Sequence, residues 1–106
     1  MAYKITVVNI KDFPDAVYIG RGSGLGNPFP ISKIRTRDQA CDQYEDYFLE
    51  RIKEDREFFG ELVSLNNIGH NTGHLFLGCF CVPSRCHGET IKAFLEKNQE
   101  VLDDFI

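Results

Sequence analysis

The chain has 106 residues and a formal net charge of −4 at pH 7, and this length predicts one domain spanning residues 1–106. An acidic chain lacks the concentrated lysine and arginine surface that captures a phosphate backbone, so we expect no direct nucleic-acid binding. No apolar run approaches the roughly 18 residues of a membrane span, and residues 1–11 show no signal-peptide pattern. Three cysteines clustered beside a histidine indicate reduced thiols in a cytoplasmic protein.

The N-terminal part predicts two strands followed by a glycine-rich loop. Residues 5–10 are rich in β-branched side chains and predict a buried first strand, and residues 16–20 predict a second. Residues 20–30 are the densest glycine and proline stretch, which predicts a loop at the end of the second strand.

The middle of the chain predicts two helices. Thr36 and Gln39 have the spacing of a capping box, and apolar residues recur at every fourth position through residues 37–54. The helical period continues from Phe58 to Leu65, and a stop is predicted at residues 67–69. Residues 70–74 are predicted to form a polar turn.

The C-terminal part predicts a central strand and a last helix. Residues 75–82 are apolar at consecutive positions, which is typical of a strand covered by helices on both faces, and residues 89–97 predict a helix. The order β-β-α-α-β-α predicts an α/β fold: a small three-layer, Rossmann-like sandwich with a largely parallel sheet. Such a narrow sheet is compatible with a homodimer that extends it or covers a face. Ligands in these sheets bind beyond the carboxyl ends of the strands, so the loops at residues 20–29 and 82–88 are predicted to share one site.

The glycine loop supplies candidate ligand-binding residues. Glycine lets a ligand approach backbone amides without a Cβ in the way, and successive amides bind anions. Arg21 adds a permanent positive charge, and Asn27 can hydrogen-bond a polar edge. The loop lacks the Gly-Lys-Ser/Thr of a Walker A loop, and Pro28 and Pro30 stand where the helix of a dinucleotide fingerprint would begin. The predicted ligand-binding residues of this loop are Gly20, Arg21, Gly22, Ser23, Gly26 and Asn27.

Residues 79–88 supply the second set of candidates. Cys86 and His87 fall at the start of the last predicted helix, where the helix dipole stabilises a thiolate, and we predict that they act as nucleophile and base. Cys81 and Gly88 are predicted to contact the ligand. Two other interpretations stay open. In the first, Cys79 and Cys81 are small core residues. In the second, the protein binds zinc as a cofactor through Cys79, Cys81, Cys86 and His87.

The two loops together resemble a known family. Residues 18–29 read YIGRGS-x-x-GNPF, and residues 79–88 read C-x-C-x-P-x-x-CHG. This combination is similar to the family labelled domain of unknown function 4326, which occurs in bacteria and their viruses. The chain departs from that pattern at Phe80, where Trp is common, and in the Gly-x-Gly at residues 22–24. The resemblance implies that both loops are functional, and it names no reaction.

The leading hypothesis is therefore a small ligand-binding or enzymatic domain that acts on a nucleotide, nucleoside or related phosphorylated metabolite. The glycine loop and Arg21 would hold the anionic part of this ligand. The alternative is a phage-encoded, non-enzymatic interaction module that binds a host protein in the host cytoplasm. Zinc could stabilise such a module.

Overall fold

The structure is a computed structural model that describes residues 3–105 of the chain. Its strands are β1 (Lys4–Asn9), β2 (Val17–Tyr18) and β3 (His74–Cys79), and its helices are α1 (Arg37–Glu54), α2 (Arg56–Thr72), α3 (Gly88–Lys97) and α4 (Gln99–Asp103). None of these helices is long and apolar enough to cross a membrane. The elements confirm an α/β fold.

The three strands form a parallel sheet in the order β1-β3-β2, with β3 in the centre. Val17 of β2 pairs with Leu77 of β3, and the amide of Ile19 extends the ladder by donating to the carbonyl of Gly78 at 2.9 Å. Because all strands run in the same direction, the segments that follow β2 and β3 both start at the carboxyl edge of the sheet.

One face of the sheet carries the hydrophobic core. Paired residues in a parallel ladder face the same side, and side chains alternate along each strand. Ile5, Leu75 and Leu77 point to this face, and they belong to one cluster of buried side chains to which all four described helices contribute. The core therefore lies between the sheet and a layer of helices.

The loop after β1 covers part of the opposite face of the sheet. Ile10 and Ala16 lie against Gly78, and the ring of Phe13 stacks on Phe76 with centroids 5.9 Å apart. The segment at residues 10–16 therefore shields part of β3 on this face.

Helix α1 begins and ends at capping side chains. The hydroxyl of Thr36 accepts a hydrogen bond from the amide of Gln39 at 3.1 Å, and the Gln39 side chain accepts one from the Thr36 amide at 2.9 Å. This confirms the predicted capping box. At the other end, Asp55 leaves helical geometry and its carboxylate caps the amides of Glu57 and Phe58, so one residue separates α1 from α2.

Helix α2 is longer than predicted. It continues to Thr72 and ends at Gly73, whose φ of +79° suits glycine. The predicted stop at residues 67–69 and the polar turn at residues 70–74 are therefore wrong. The polar side chains of this last part are satisfied by the C-terminal segment: Asp103 accepts hydrogen bonds from Asn66 at 2.7 Å and from His70 at 2.8 Å.

Candidate functional site

A cavity of about 510 Å³ lies at the carboxyl edge of the sheet, between the loop that follows β2 and the loop that follows β3. This volume is in the range of small-molecule sites. Both predicted loops contribute to its walls. The predicted residues that line it are Gly20, Arg21, Asn27, Cys79, Cys81, Cys86 and His87.

The other predicted residues of the first loop shape it from within. The amide of Ser23 donates to the carbonyl of Gly20 at 3.0 Å, and the amide of Gly26 donates to the carbonyl of Ser23 at 3.1 Å, which makes two consecutive turns. Gly22 has a φ of +93° in the first turn. A Cβ at Gly26 would lie 2.5 Å from the Gly20 carbonyl oxygen. The two turns therefore depend on Gly22, Ser23 and Gly26. These three residues do not line the cavity.

Two side chains fasten this loop to α1. The Asn27 side chain donates to the carbonyl of Ala40 at 3.2 Å and accepts from the amide of Phe29 at 2.8 Å. The buried hydroxyl of Tyr44 donates to the carbonyl of Leu25 at 2.7 Å. Asn27 is thus first an anchor of the loop, with one amide hydrogen left to face the cavity.

The second loop is longer than predicted because β3 ends at Cys79. The amide of Ser84 donates a hydrogen bond to the carbonyl of Cys81 at 2.8 Å, and the side-chain amide of Asn9 donates one to the carbonyl of Val82 at 3.0 Å. Helix α3 begins at Gly88, so Cys86 and His87 directly precede it.

Gly88 has a packing role at the start of α3. A Cβ there would lie 2.9 Å from Val7 and 3.0 Å from Ile19. The glycine therefore allows the first turn of the helix to sit against β1 and the end of β2. It does not line the cavity.

Three thiols converge at the base of the cavity. The Sγ atoms of Cys79, Cys81 and Cys86 all lie within 4.8 Å of one another, and those of Cys79 and Cys86 are 2.7 Å apart. All three are free cysteines; Cys79 and Cys86 are buried and Cys81 is partly exposed. Three sulfur atoms at these distances could hold a metal ion.

His87 links the thiols to the end of β2. Its Nε2 lies 2.6 Å from the carbonyl oxygen of Ile19. Because a carbonyl can only accept, Nε2 carries the proton, and the unprotonated Nδ1 lies 3.5 Å from the Sγ of Cys86. Burial lowers the pKa of His87 below its ordinary value of 6.5, which favours the neutral ring.

The hydrogen bond between Cys79 and Cys86 shifts their pKa values in opposite directions. It lowers the pKa of Cys79, against the opposing effect of burial and with help from the backbone amides of Cys81 and Val82. The same hydrogen bond, together with burial, raises the pKa of Cys86. These directions favour thiolate character on Cys79.

Three arginines line the cavity, and its lining residues include no carboxylate. Arg85 is paired with Asp38 at 3.0 Å and with Asp42 at 2.8 Å, and these hydrogen bonds raise its pKa. Arg37 donates to the carbonyl of Arg85 at 3.3 Å. Within residues 3–105, the guanidinium groups of Arg21 and Arg37 have no acidic partner.

Several residues that line the cavity were not predicted from the sequence. One is Cys41, which lies in the first part of α1 with its Sγ 3.8 Å from the carbonyl of Arg85. The sequence feature that could have placed Cys41 at the site is the position of α1. This helix closely follows the glycine loop, so its first turns lie at the same end of the sheet. The other lining residues outside the predicted set are Tyr18, Phe29, Pro30, Ile31, Arg37, Ala40, Phe80 and Arg85.

A second cavity of about 560 Å³ lies between α1 and α3. Its lining includes Cys41, Arg85 and Cys86, which also line the first cavity.

The fold and the site together define a small α/β domain with a thiol-bearing cavity at the carboxyl edge of a parallel sheet. A family model described as Domain of unknown function (DUF4326) matches residues 6–97, and the chain belongs to this family. The matched region contains both loops and the whole cavity. No curated protein and no solved structure matches the chain significantly.

Proposed function

We propose that the cavity binds a nucleotide, a nucleoside or a related phosphorylated metabolite, and that the thiols and His87 at its base act on this ligand or contact it directly. One observation carries the proposal: the guanidinium groups of Arg21 and Arg37, which have no acidic partner in the described part of the chain, face the same cavity as exposed aromatic rings.

The charge of the lining favours an anionic ligand. Arg21 and Arg37 contribute positive charge that no carboxylate among residues 3–105 offsets, whereas Arg85 is neutralised by Asp38 and Asp42. A guanidinium binds a phosphate group through two parallel hydrogen bonds, so Arg21 is the residue we assign to the phosphate.

The aromatic side chains favour a flat group in the same ligand. The rings of Tyr18 and Phe80 lie edge to face, 6.0 Å apart, and remain 37% and 57% exposed. Phe29 lies on the opposite loop and packs under the guanidinium of Arg35. Stacking of a base on such a ring contributes about 1–3 kcal/mol, which is enough to select a nucleobase over a simple sugar phosphate.

The chemistry at the base of the cavity fits proton transfer or nucleophilic attack. Cys79 offers a sulfur with thiolate character, Cys86 offers a proton, and the unprotonated Nδ1 of His87 lies beside Cys86. These are the components of a thiol–imidazole pair.

Binding measurements on three variants test this proposal. Isothermal titration of the full chain would use nucleoside monophosphates, nucleosides, ribose 5-phosphate and inorganic phosphate. We expect a nucleoside monophosphate to bind best, Arg21→Ala to weaken its binding by about tenfold or more, and Phe80→Ala to weaken binding of ligands with a base only. Arg56→Ala is the matched control, because Arg56 begins α2 and does not line the cavity.

Two outcomes would contradict the proposal. The first is an absence of binding for every compound in the panel. The second is an equal affinity of the Arg21→Ala and Arg56→Ala variants for the ligand that binds.

As the alternative to thiols that act on the ligand, we propose that the three-sulfur cluster binds a zinc ion. Thiolates prefer zinc among the common divalent ions, and Cys79, Cys81 and Cys86 supply three of the four ligands of a tetrahedral site. The fourth position would face His87 Nδ1 or the cavity. The hydrogen bond from Nε2 to Ile19 is the kind of outer contact that orients a metal-binding imidazole.

Elemental analysis of the purified chain tests the zinc proposal. We expect one zinc per chain in the wild type, retention of zinc in the Cys41→Ser control, and its loss in Cys81→Ser. A metal-free wild type whose melting temperature does not rise when zinc is added would contradict it.

A further inference from the structure

We propose that Cys79 is a site of oxidation by peroxide and that Cys86 is its resolving thiol, so that the two form a reversible disulfide at the base of the cavity. This inference concerns the thiols of the metal-free chain, so it is separate from the zinc site proposed above, and it does not depend on the nucleotide-like ligand.

The geometry of the two sulfur atoms carries the inference. They lie 2.7 Å apart although seven positions separate the residues in sequence, because Cys79 ends β3 and Cys86 lies just before α3. Oxidation of Cys79 therefore requires no movement of the chain to bring a second thiol into reach. A resolving thiol within contact distance is what converts an oxidised cysteine into a disulfide before further oxidation.

The cavity gives access to the pair and selects the oxidant. Cys79 and Cys86 are 1% and 3% exposed, yet both contribute to the wall of the 510 Å³ cavity. This degree of burial prevents a bulky disulfide reagent from reaching the two sulfur atoms. Hydrogen peroxide is about the size of two water molecules and can enter the cavity. We therefore assign the oxidant to hydrogen peroxide or a small hydroperoxide.

The reaction has two steps that balance. In the first, the sulfur of Cys79 attacks one oxygen of hydrogen peroxide; the S–O bond forms, the O–O bond breaks, and the hydroxide that leaves takes a proton from solvent to become water. In the second, Cys86 passes its proton to Nδ1 of His87 and its sulfur attacks the sulfur of Cys79. The S–S bond forms, the S–O bond breaks, and the departing hydroxide recovers the proton from His87 as water. Peroxide is reduced by two electrons and the two thiols are oxidised by two.

His87 is built for this proton transfer. The carbonyl of Ile19 holds its Nε2–H at 2.6 Å, so the lone pair of Nδ1 faces the thiol of Cys86 at 3.5 Å. No rotation or change of tautomer is needed before the second step.

Peptide mapping tests the inference on the full chain. The protein is first freed of metal with a chelator and then treated with one equivalent of hydrogen peroxide. Its remaining thiols are alkylated under denaturing conditions, and it is digested with trypsin. Cleavage after Arg85 separates the peptide of residues 57–85 from that of residues 86–92. We expect the wild type to lose the mass of two hydrogen atoms, to yield these peptides as a linked pair, and to return to separate peptides after reduction with dithiothreitol.

Three variants assign the two roles. Cys79→Ser should form no linked pair, and Cys86→Ser should accumulate a sulfenic acid on Cys79 that a cyclic 1,3-diketone traps. Cys41→Ser is the matched control, since Cys41 is a buried free cysteine outside the three-sulfur cluster, and it should form the link as the wild type does. Fragmentation of the linked wild-type pair shows directly whether Cys79 or Cys81 carries the bond, so the test stands even if a variant fails to fold. A link through Cys81, or no link in the wild type, would overturn the inference.

Discussion

His87 donates a hydrogen bond of 2.6 Å to the carbonyl of Ile19, and this bond joins the loop after β3 to the residue that precedes the glycine loop. Ile19 is fully buried, so its carbonyl has no access to water in place of the imidazole. The bond therefore fixes the two loops relative to each other, and with them the shape of the cavity.

Loss of this imidazole should destabilise the protein measurably. We expect His87→Ala to lower the free energy of unfolding by about 2 kcal/mol or more, because the Ile19 carbonyl loses its partner and a void is left beside Tyr44. Urea unfolding measures this. His74→Ala is the control: its hydrogen bond to Thr6 is exposed, so we expect a loss below about 1 kcal/mol. Equal losses in the two variants would contradict the role given to His87.

Two glycine substitutions should change stability in opposite directions. Gly26→Ala places a Cβ 2.5 Å from a backbone oxygen that cannot move freely, and we expect a loss of about 1–3 kcal/mol. Gly60→Ala lies within α2 with no atom near its Cβ, and we expect a gain of about 0.5–1 kcal/mol. Both values come from the same urea titration. A stable Gly26→Ala protein would show that the two turns of the glycine loop are not constrained as described.

The hydroxyl of Tyr44 should matter more than that of its neighbour Tyr47. Tyr44→Phe removes the donor to the buried Leu25 carbonyl, and we expect a loss of about 1–2 kcal/mol. The hydroxyl of Tyr47 makes no hydrogen bond to another residue in the range 3–105, so Tyr47→Phe should be nearly neutral. Thermal unfolding followed by circular dichroism distinguishes them. Similar melting temperatures would argue against the anchoring of Leu25 by α1.

Acid should weaken the attachment of the C-terminal segment. Hydrogen bonds from Asn66 and His70 lower the pKa of Asp103 below its ordinary value of 3.8. Because the pKa of Asp103 is lower in the folded state, these hydrogen bonds stabilise the protein above pH 3.8. The stabilisation is lost as the pH falls through the pKa of Asp103 in the folded state. We expect Asp103→Asn to be less stable than the wild type near neutral pH and to match it in strong acid.

Urea midpoints across a pH series measure this convergence. Asp104→Asn is the control, since the Asp104 side chain has no hydrogen bond or ion pair to another described residue, and it should follow the wild type at every pH. A constant difference between the wild type and Asp103→Asn down to the lowest pH would contradict the linkage.

The features of the fold that depend on neighbouring residues could be predicted from the sequence. The bounds of α1 follow from the capping box at Thr36 and from apolar residues spaced along one helical face. The position of β3 in the centre of the sheet follows from its apolar run. The end of α2 could not be predicted in this way, because the polar residues Asn66 and His70 find their partner in Asp103, more than thirty residues later.

The covering of individual strand residues could not be predicted for a similar reason. An apolar strand residue must be covered, but the sequence does not say by what. Phe76 is covered by Phe13 from the loop after β1.

The two loops of the candidate site could be identified because glycine, cysteine and histidine are conspicuous in sequence. The roles of individual residues could not. Gly26 and Gly88 allow close packing, Asn27 anchors a loop, and the thiolate character of Cys79 depends on Cys86 across a turn. Cys41 and Arg85 join the site only through the docking of α1 against the second loop.

The guanidinium of Arg85, held by carboxylates of α1, stands where the two cavities meet. Cys41 and Cys86 also line both cavities, so Arg85 contributes one part of a shared boundary. A small residue at position 85 would remove that part and leave Asp38 and Asp42 without their partner, so the same substitution would change both the size and the charge of this boundary.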